Sequence, residues 1–343
     1  MLKRLIAKAS NKQNLTVSES YQALNAFTTG EATTAQISAL LTALKIKGET
    51  VDELTGFACA MKENAIQVNY SKNPIYDCCG TGGDMASTIN VSTAAAILAS
   101  AAGVYIAKHS NKSVTSLSGS SDVLGELDIE LCSNADDVVY SLDTTNIAFL
   151  HAPSFHVSTK NVSEIRKEIG IRTIFNLLGP LTNPANPDGQ LIGVSSPDLC
   201  PIIAETLKNL KMKRAMVVCA TKPRLDELSI SGPTIIYELN NNNIKHAEII
   251  PEDLCLKRAP IDKVKGSDPK SNAKVITDIF EGNIDDSRRD IIVLNTAAIL
   301  WIANKVESLK EGINVATMTL FSGKAYEKLM VLKNMKLQSQ SQI

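Results

Sequence analysis

Residues 75–107, IYDCCGTGGDMASTINVSTAAAILASAAGVYIA, decide the fold class of this chain. Residues 75–79, apolar except for Asp77, predict a short strand, and the glycine-rich residues 80–83 that follow predict a tight turn. An alanine-rich helix is expected from Asn90 to a stop at Gly103, with a second strand over residues 104–107. A strand, a helix and another strand in this order form a βαβ unit, which implies a parallel sheet.

The same alternation continues towards the C-terminus. Further strands are predicted over residues 147–150, 191–194 and 216–220, and a hairpin over 234–239 and 245–250. Helices are predicted over residues 122–127, 135–142, 198–210, 272–280, 290–306 and 315–332. The sequence therefore predicts a large α/β domain, residues 71–343, with a mostly parallel central sheet.

The first 70 residues have a different character. Thr16, Thr33 and Thr50 each stand three residues before a Glu or Gln, which is the capping-box pattern of a helix start. We expect three short helices that form a small N-terminal helical bundle over residues 1–70. An apolar face left over on this bundle could serve a homodimer.

Composition excludes several classes of protein. The chain has 343 residues, of which 44% are hydrophobic and 21% charged, and this is globular composition. Lys+Arg 35 against Asp+Glu 36 gives a net charge of −1, which argues against a surface that coats nucleic acid or a membrane. Seven cysteines are too few for a disulfide scaffold. Without an apolar run of about 18 residues or a signal peptide, we expect a cytoplasmic protein.

The turn Gly80-Thr81-Gly82-Gly83-Asp84 is the first candidate binding site. Glycines let the backbone approach an anion closely, and the following helix start offers free N–H groups to a phosphate. The glycines alone fit a plain tight turn equally well. Asn90, Ser92 and Thr93 favour the phosphate site, because an ordinary helix cap needs only one such residue.

Three other groups of polar residues follow predicted strands or stand in a charged segment. Lys108 and Lys112, in a serine-rich stretch, would make a local anion site or a simple flexible loop. The adjacent carboxylates of Asp226 and Glu227 would hold Mg²⁺ or face solvent, and taken alone they favour the solvent. Arg166 would bind a carboxylate or be a charge on a helix surface.

Four separated segments together resemble the anthranilate phosphoribosyltransferase family. They are DCCGTGGDMASTINVST (77–93), AKHSNKSVTSLSGSSDVLGELDI (107–129), IRKEIGIRTIFNLLGPLTNP (165–184) and LDELS with GPT (225–229 and 232–234). The resemblance extends into both ends of the chain. It implies transfer of phosphoribosyl from phosphoribosyl pyrophosphate to the amine of anthranilate, with release of pyrophosphate, in tryptophan biosynthesis.

The resemblance also implies roles for individual residues. The catalytic residues would be Lys108, Asp226 and Glu227, and the metal ligands Ser92, Asp226 and Glu227. The phosphoribosyl pyrophosphate site would comprise Gly80, Gly82, Gly83, Asp84, Thr88, Asn90, Val91, Ser92, Thr93, Lys108, Asn111, Lys112, Ser113, Ser116 and Ser120. The anthranilate site would comprise Gly80, His109, Asn111, Arg166, Gly179 and the turn residue Pro180. Two Mg²⁺ ions per subunit and a homodimer through the helical domain are implied too, with about residues 163–185 packing on that domain.

Two alternatives stay open on the sequence. A pyrimidine nucleoside phosphorylase-like enzyme would share the architecture, but Arg166 and Asn111 favour an acceptor that carries a carboxylate. A catalytically silent paralogue that binds nucleic acid would need a basic face and would not need Asp226 and Glu227.

The chain departs from the family pattern at a few positions. Ser110 stands where the family usually has Gly, Lys112 where it has Arg, and Pro223-Arg224 where it has Asp-Gly. Thr159 and Ser163 stand where Met and Pro are common. These changes leave the core groups of the site in place, so we expect variation and not loss of activity.

Overall fold

The computed structural model describes residues 1–84, 86–111 and 118–337. The predicted phosphoribosyl pyrophosphate ligands Lys112, Ser113 and Ser116 lie outside the described residues. Within the described ranges, no helix combines the length and the apolar character that a membrane crossing requires.

The N-terminal bundle has four helices: α1 (Leu2–Ser10), α2 (Val17–Thr28), α3 (Thr34–Lys47) and α4 (Val51–Glu63). The three predicted capping boxes, at Thr16, Thr33 and Thr50, are confirmed at the starts of α2, α3 and α4. The expectation of three helices is wrong, because α1 precedes them. Its first residue makes no side-chain cap, so the usual start signal is missing, and a buried stripe that includes Leu5 holds it in place.

The remaining described residues form one eight-stranded sheet with helices on both faces. The strands are β1 (Ile75–Gly80), β2 (Tyr105–Ser110), β3 (Ile147–His151), β4 (Gly189–Gly193), β5 (Arg214–Thr221), β6 (Arg224–Leu225), β7 (Thr234–Asn240) and β8 (Asn243–Ile249). Their order is β3-β2-β1-β4-β5-β7-β8, with β6 paired to β5. Strands β1 to β5 are parallel, and β6, β7 and β8 are antiparallel additions. The expected mostly parallel sheet is confirmed.

The helices of this part are α5 (Val91–Ala101), α6 (Ser120–Glu126), α7 (Ala135–Thr145), α8 (Ala152–Phe155), α9 (Lys160–Ile169), α10 (Phe175–Leu181), α11 (Leu199–Asn209), α12 (Pro269–Phe280), α13 (Ser287–Ile302), α14 (Leu309–Phe321) and α15 (Lys324–Asn334). The single helix expected over residues 315–332 is wrong. Gly323, at a φ of +80°, separates α14 from α15, and glycine adopts that left-handed conformation without steric strain.

The helical bundle shares a hydrophobic core with the sheet. Buried residues of α1 to α4 pack with α9, α10 and α11 and with one face of β4 and β5. Phe57 links the parts: its ring lies 6.1 Å from that of Phe27 in the bundle and 6.2 Å from that of Phe175 in α10. The second core lies on the opposite face of the sheet, around α5 and α13.

The order of the strands identifies where a ligand would bind. From β1 the chain adds β2 and then β3 on one side, whereas β4 and β5 extend the sheet on the other side. Ligands of parallel sheets bind beyond the carboxyl ends of the strands, at the point where the winding direction changes. Here that point lies between Gly80 at the end of β1 and Gly193 at the end of β4, which are paired. We call this edge of the sheet the carboxyl edge.

Candidate active site

The glycine loop, residues 80–84, leaves β1 at the carboxyl edge. Gly82 and Gly83 have φ values of +65° and +84°, which residues with a Cβ rarely adopt. The Thr81 N–H donates to the carbonyl oxygen of Gly193 over 2.9 Å, so the start of the loop is fixed to β4. Two consecutive residues of this kind turn the backbone sharply over the end of the sheet.

The segment that carries Asp226 and Glu227 lies directly against this loop. Asp226 Oδ2 accepts a hydrogen bond from the Gly82 N–H at 2.7 Å, and Asp84 Oδ2 accepts one from the Asp226 N–H at 3.3 Å. The solvent-facing alternative for these carboxylates is therefore wrong, because both residues are half-buried beside the loop.

Glycine at the ends of β1 and β4 allows Asp226 to approach the sheet closely. A Cβ at Gly80 would lie 2.8 Å from Cγ of Asp226, and a Cβ at Gly193 would overlap the Asp226 backbone carbonyl. Gly193 was not predicted as a site residue. Its signal in the sequence is a glycine at the end of a buried apolar strand, which is where close backbone approach is expected.

The carboxylates are held in surroundings that favour a cation. Desolvation by burial, and then the charge of Asp84, raise the pKa of Asp226 to about 7. Burial and the neighbouring Asp226 raise the pKa of Glu227 well above its usual range. Because their ionised forms are disfavoured in the free protein, a bound cation would stabilise them strongly.

The donor set fits Mg²⁺. Lys108 donates to the Ser92 hydroxyl over 3.2 Å, and its charge opposes the rise in the pKa of Glu227, so the predicted ligands lie on neighbouring segments. In the described part of the chain no three His, Cys, Asp or Glu residues form a metal cluster. Mg²⁺ commonly takes one or two carboxylates and completes its shell with water and substrate phosphate. Two carboxylates and a hydroxyl meet that requirement.

The start of α5 faces the same edge. It lacks the side-chain cap that would be present if one of its polar residues were an ordinary helix cap. Asn90 occupies the cap position but makes no capping bond. Its amide group donates to the Ser118 carbonyl at 3.2 Å, and its Oδ1 accepts from Asn272 at 2.9 Å. The Thr93 hydroxyl is buried and has no hydrogen-bond partner among the described residues. An uncapped helix start with an unpartnered hydroxyl suits an anion.

Two other predicted ligands of this group have surroundings that leave little room for a side-chain role. Thr88 forms a β-bridge with Lys265. The Val91 side chain is buried in the core, so only its backbone can contribute to a site.

Lys108 lies beneath the glycine loop. Its ammonium group is buried and donates to the Cys78 carbonyl and, over 3.2 Å, to the Ser92 hydroxyl. The sequence placed Lys108 in a loop, and that is wrong: β2 continues to Ser110, paired in register with β3. The charge of this lysine is therefore fixed in position by the sheet.

The predicted anthranilate ligands form a second group on the side of α9 and α10. The Arg166 guanidinium lies 5.2 Å from the Phe175 ring centre, and its Nε is buried without a partner among the described residues. Its Nη2 lies 3.5 Å from Asn176 Oδ1. Burial and, secondarily, Arg172 lower the pKa of Arg166. Because its stem is half-buried, Arg166 is not a simple charge on a helix surface.

Two histidines lie next to each other beside this group. The ring of His109 lies 5.2 Å from that of His156, and His109 Nδ1 is 3.1 Å from the Gly179 carbonyl oxygen. Burial lowers the pKa of His109 to about 4 and that of His156 to about 3, so both rings are neutral at pH 7. Nothing in the sequence indicates that His156 would meet His109.

Gly179 and Pro180 were expected to form a turn that ends their segment. They lie instead in the last turn of α10, which ends at Leu181. This position directs the Gly179 carbonyl to His109 and to Thr182 Oγ1, which lies 3.5 Å away. Asn111 follows β2 and is exposed, and its N–H donates to the Ser120 hydroxyl at 3.3 Å.

Arg172 is a residue of this edge for which the sequence gave no role. Its Nη2 donates to the Thr81 carbonyl at 3.0 Å, and its guanidinium lies over Gly83, where a Cβ would be 3.1 Å from Arg172 Nε. Burial lowers its pKa, while the charges of Asp226 and Asp84 oppose that shift. Arg172 thus joins the segment of Arg166 to the glycine loop.

The described departures from the family pattern lie in different surroundings. Ser110 is buried at the end of β2, whereas Arg224 is exposed in β6. The peptide bond before Pro223 is cis. Lys112 lies outside the described residues.

Comparison with known proteins agrees with this architecture over most of the chain. The family model described as "Glycosyl transferase family, helical bundle domain" matches residues 3–65. The model described as "Glycosyl transferase family, a/b domain" matches residues 72–326.

Similar curated proteins share one name. Anthranilate phosphoribosyltransferase of Petrotoga mobilis is 47% identical over 329 residues, covering 96% of this chain and 95% of its own length. That of Symbiobacterium thermophilum is 44% identical over 324 residues, with 94% of each chain covered.

Solved structures show the same similarity. The anthranilate phosphoribosyltransferase of Thermus thermophilus superposes with a TM-score of 0.89 at 36% identity, covering 96% of this chain and 98% of that one. The enzyme of Saccharomyces cerevisiae in complex with phosphoribosyl pyrophosphate and Mg has a TM-score of 0.89 at 28% identity, covering 100% of this chain and 98% of its own.

Proposed function

The chain belongs to the anthranilate phosphoribosyltransferase family, and on that basis we propose that it transfers phosphoribosyl from phosphoribosyl pyrophosphate to the amine of anthranilate. Pyrophosphate is the second product, and the reaction belongs to tryptophan biosynthesis. One observation carries the proposal from the side of this chain. A glycine loop suited to phosphate and two carboxylates suited to Mg²⁺ lie together at the carboxyl edge, and Arg172 joins this loop to the segment of Arg166, an arginine suited to a carboxylate.

The donor substrate would bind at the glycine loop and the start of α5. Backbone N–H groups of residues 80–84, the hydroxyls of Ser92 and Thr93, and the buried charge of Lys108 suit its phosphates. Asp226, Glu227 and Ser92 would hold Mg²⁺, which when bound neutralises phosphate charge on the leaving group. The proposed donor site also includes Thr88, Asn90, Asn111 and Ser120, with Lys112, Ser113 and Ser116 outside the described residues.

The acceptor would bind beside Arg166. The planar guanidinium forms paired hydrogen bonds with a carboxylate, and the neutral rings of His109 and His156 border the site without competing for that charge. Gly179, Pro180 and Asn111 would complete it. This arrangement favours anthranilate over a nucleobase, which carries no carboxylate.

The residues explain catalysis by positioning and electrostatics. The bond between the ribosyl carbon and the pyrophosphate oxygen breaks with its electron pair on pyrophosphate, and the amine nitrogen bonds to that carbon and loses a proton to solvent. An aromatic amine is unprotonated at neutral pH, so the reaction needs no strong base. Lys108 places fixed positive charge where the leaving group develops its own negative charge.

Four finer features are part of the proposal. They are two Mg²⁺ ions per subunit, a homodimer through the helical domain, a domain boundary near residue 70 and a cytoplasmic location. The dimer is supported by exposed apolar side chains on the bundle, of which Ile46 is 74% exposed. The boundary is proposed between α4 and β1, although the two parts share a core.

The test is consumption of anthranilate, followed by its fluorescence, with phosphoribosyl pyrophosphate and Mg²⁺. We expect a decrease that stops when Mg²⁺ is chelated. In parallel, thymidine or uridine with phosphate tests for nucleoside phosphorolysis, and a DNA gel shift at physiological salt tests for a binding paralogue. No decrease at micromolar protein, or activity only with a nucleoside, would overturn the assignment.

A further inference from the structure

A buried carboxylate behind the active site has no part in the mechanism above. Asp77 lies in the middle of β1 and is 1% exposed. Its Oδ1 accepts from the N–H groups of Cys78 at 2.7 Å and His109 at 3.3 Å. Its Oδ2 accepts from the side-chain amides of Asn183 at 2.8 Å and Gln190 at 3.1 Å. The Cys79 thiol also donates to Oδ2, over 3.9 Å. Several donors on one carboxylate are what a buried charge requires.

These donors come from separate elements. His109 lies near the end of β2, Asn183 lies two residues beyond α10, and Gln190 lies in β4. The Asn183 amide also donates to the Ala107 carbonyl of β2 at 2.8 Å. Asp77 is therefore the point where three pieces of chain around the carboxyl edge are tied together.

The same connections lead to the walls of the proposed anthranilate site. The Gln190 amide, which donates to Asp77, also donates to the Pro180 carbonyl at 2.6 Å. His109, whose backbone donates to Asp77, meets the Gly179 carbonyl through its ring. Asp77 thus fixes both partners of the contact between the His109 ring and the Gly179 carbonyl. It binds the backbone of His109 directly and the last turn of α10 through Gln190.

A role in stability alone does not account for this carboxylate. An apolar side chain in a core avoids the desolvation cost of a buried charge, and the attested use of buried polar groups is to fix register. Burial raises the pKa of Asp77, and the charge of Lys108 opposes that shift most. Asp77 also helps to balance Lys108, which is only 2% exposed.

We propose that Asp77 is a positioning residue for the acceptor substrate: without touching anthranilate, it fixes His109 and the Gly179–Pro180 turn of α10 at the spacing the ring requires. The inference rests on the proposed function. It gives Asp77 no contact with the donor substrate, so the two substrates should respond differently to its replacement.

The test is Asp77→Asn with KM measured separately for each substrate. An amide cannot accept on both sides: either its nitrogen faces the donors of Asn183 and Gln190, or it faces those of Cys78 and His109. We expect KM for anthranilate to rise about tenfold or more, because two hydrogen bonds of the network are lost. We expect KM for phosphoribosyl pyrophosphate to rise less than about threefold, because Lys108 loses the charge of Asp77 but keeps its bonds to the Cys78 carbonyl and the Ser92 hydroxyl.

A matched control separates positioning from stability. Glu53 in α4 is also a buried carboxylate, which accepts from the Leu15 N–H at 2.8 Å and from Lys47 at 3.0 Å. Glu53→Gln makes the same chemical change away from the carboxyl edge. We expect both variants to lower the melting temperature. Only Asp77→Asn should raise KM for anthranilate more than KM for phosphoribosyl pyrophosphate.

A second variant keeps the inference testable if Asp77→Asn does not fold. Gln190→Met removes the link between Asp77 and Pro180 while the carboxylate stays, and it should raise KM for anthranilate alone. Wild-type KM for anthranilate in every folded variant, or an equal rise in both KM values, would overturn the inference while the proposed function stands. A wild-type protein that consumes no anthranilate would overturn both.

Discussion

At the scale of single residues, the site depends on charges placed where water is scarce. Lys108 is held beneath the glycine loop, and the carboxyl groups of Asp226 and Glu227 have raised pKa values beside it. Local sequence pattern could predict these residues, since glycine-rich turns and adjacent carboxylates are visible in the sequence. It could not predict Asp77, whose partners Asn183 and Gln190 are 106 and 113 residues away.

Arg172 makes a first prediction at this scale. Arg172→Gln removes the cation that lies over Gly83 and weakens the bond to the Thr81 carbonyl. We expect KM for phosphoribosyl pyrophosphate to rise about tenfold or more, because the loop loses the positive charge of the donor in this hydrogen bond. Steady-state kinetics with varied donor concentration measures this.

Arg258→Gln is the control, because Arg258 is an exposed residue paired with Glu252 at 2.8 Å. Such surface ion pairs contribute little to the free energy of unfolding. An unchanged KM for the donor in Arg172→Gln would contradict a role for this arginine at the loop.

His156 makes a second prediction, about pH. Burial lowers its pKa from 6.5 to about 3, so below pH 6.5 the unfolded chain binds a proton that the folded protein does not. The free energy of unfolding therefore falls as pH falls, by up to about 1.4 kcal/mol per pH unit for this group.

His156→Gln removes that contribution. Urea unfolding of both proteins between pH 7.5 and 4.5 should show the stability advantage of the wild type shrinking below pH 6.5. Parallel curves over the whole range would show that His156 is not buried as a neutral ring.

At the scale of elements, strand ends decide which residues meet. The sequence ended β2 at residue 107, because Lys108 and His109 are polar. The strand continues, because its pairing with β3 runs to Ser110 and supplies hydrogen bonds whatever the side chain, whereas its pairing with β1 reaches only Ile106. Two other differences from the predicted elements have physical causes too. Packing of its buried residues stabilises α1, which has no capping signal. The left-handed conformation of Gly323 separates α14 from α15 within an otherwise helical pattern.

Gly193 at the end of β4 makes the third prediction. In Gly193→Ala the new methyl group would overlap the Asp226 backbone, so the segment of Asp226 and Glu227 must shift. We expect the Mg²⁺ concentration for half-maximal activity to rise about tenfold or more, because small displacements of catalytic groups are costly. Calorimetric titration of the protein with Mg²⁺ and the donor gives a readout independent of turnover.

Gly125→Ala is the matched control. Gly125 lies exposed in α6 with no atom within 4 Å of its added Cβ, so alanine should leave Mg²⁺ dependence unchanged. It should stabilise the protein by about 0.4–1 kcal/mol. Equal Mg²⁺ dependence in both variants would contradict the packing role of Gly193.

At the scale of the whole molecule, the helical bundle and the sheet share a core, and the bundle still presents apolar side chains outward. The composition, with its net charge of −1, excluded a polyanion-binding surface and said nothing about the local charges at the carboxyl edge. Fold class was predictable because alternation of strands and helices is a long-range pattern repeated many times.

The proposed dimer makes the fourth prediction. Ile46→Glu places a charge on α3 at a side chain that is 74% exposed in the single chain. We expect the wild type to sediment as a dimer and the variant as a monomer, because an unpaired charge in an apolar interface is costly. Val331→Glu, at a 49% exposed residue of α15, should leave the dimer intact. A monomeric wild type, or a dimeric Ile46→Glu, would contradict the interface.

The most direct measurement of the central claim is the stoichiometry of the reaction, with pyrophosphate release and anthranilate consumption recorded in the same sample. We predict one pyrophosphate per anthranilate consumed, with both absent when Asp226→Asn and Glu227→Gln are combined. Wild-type rates in that double variant, or pyrophosphate release without loss of anthranilate, would contradict phosphoribosyl transfer at this site.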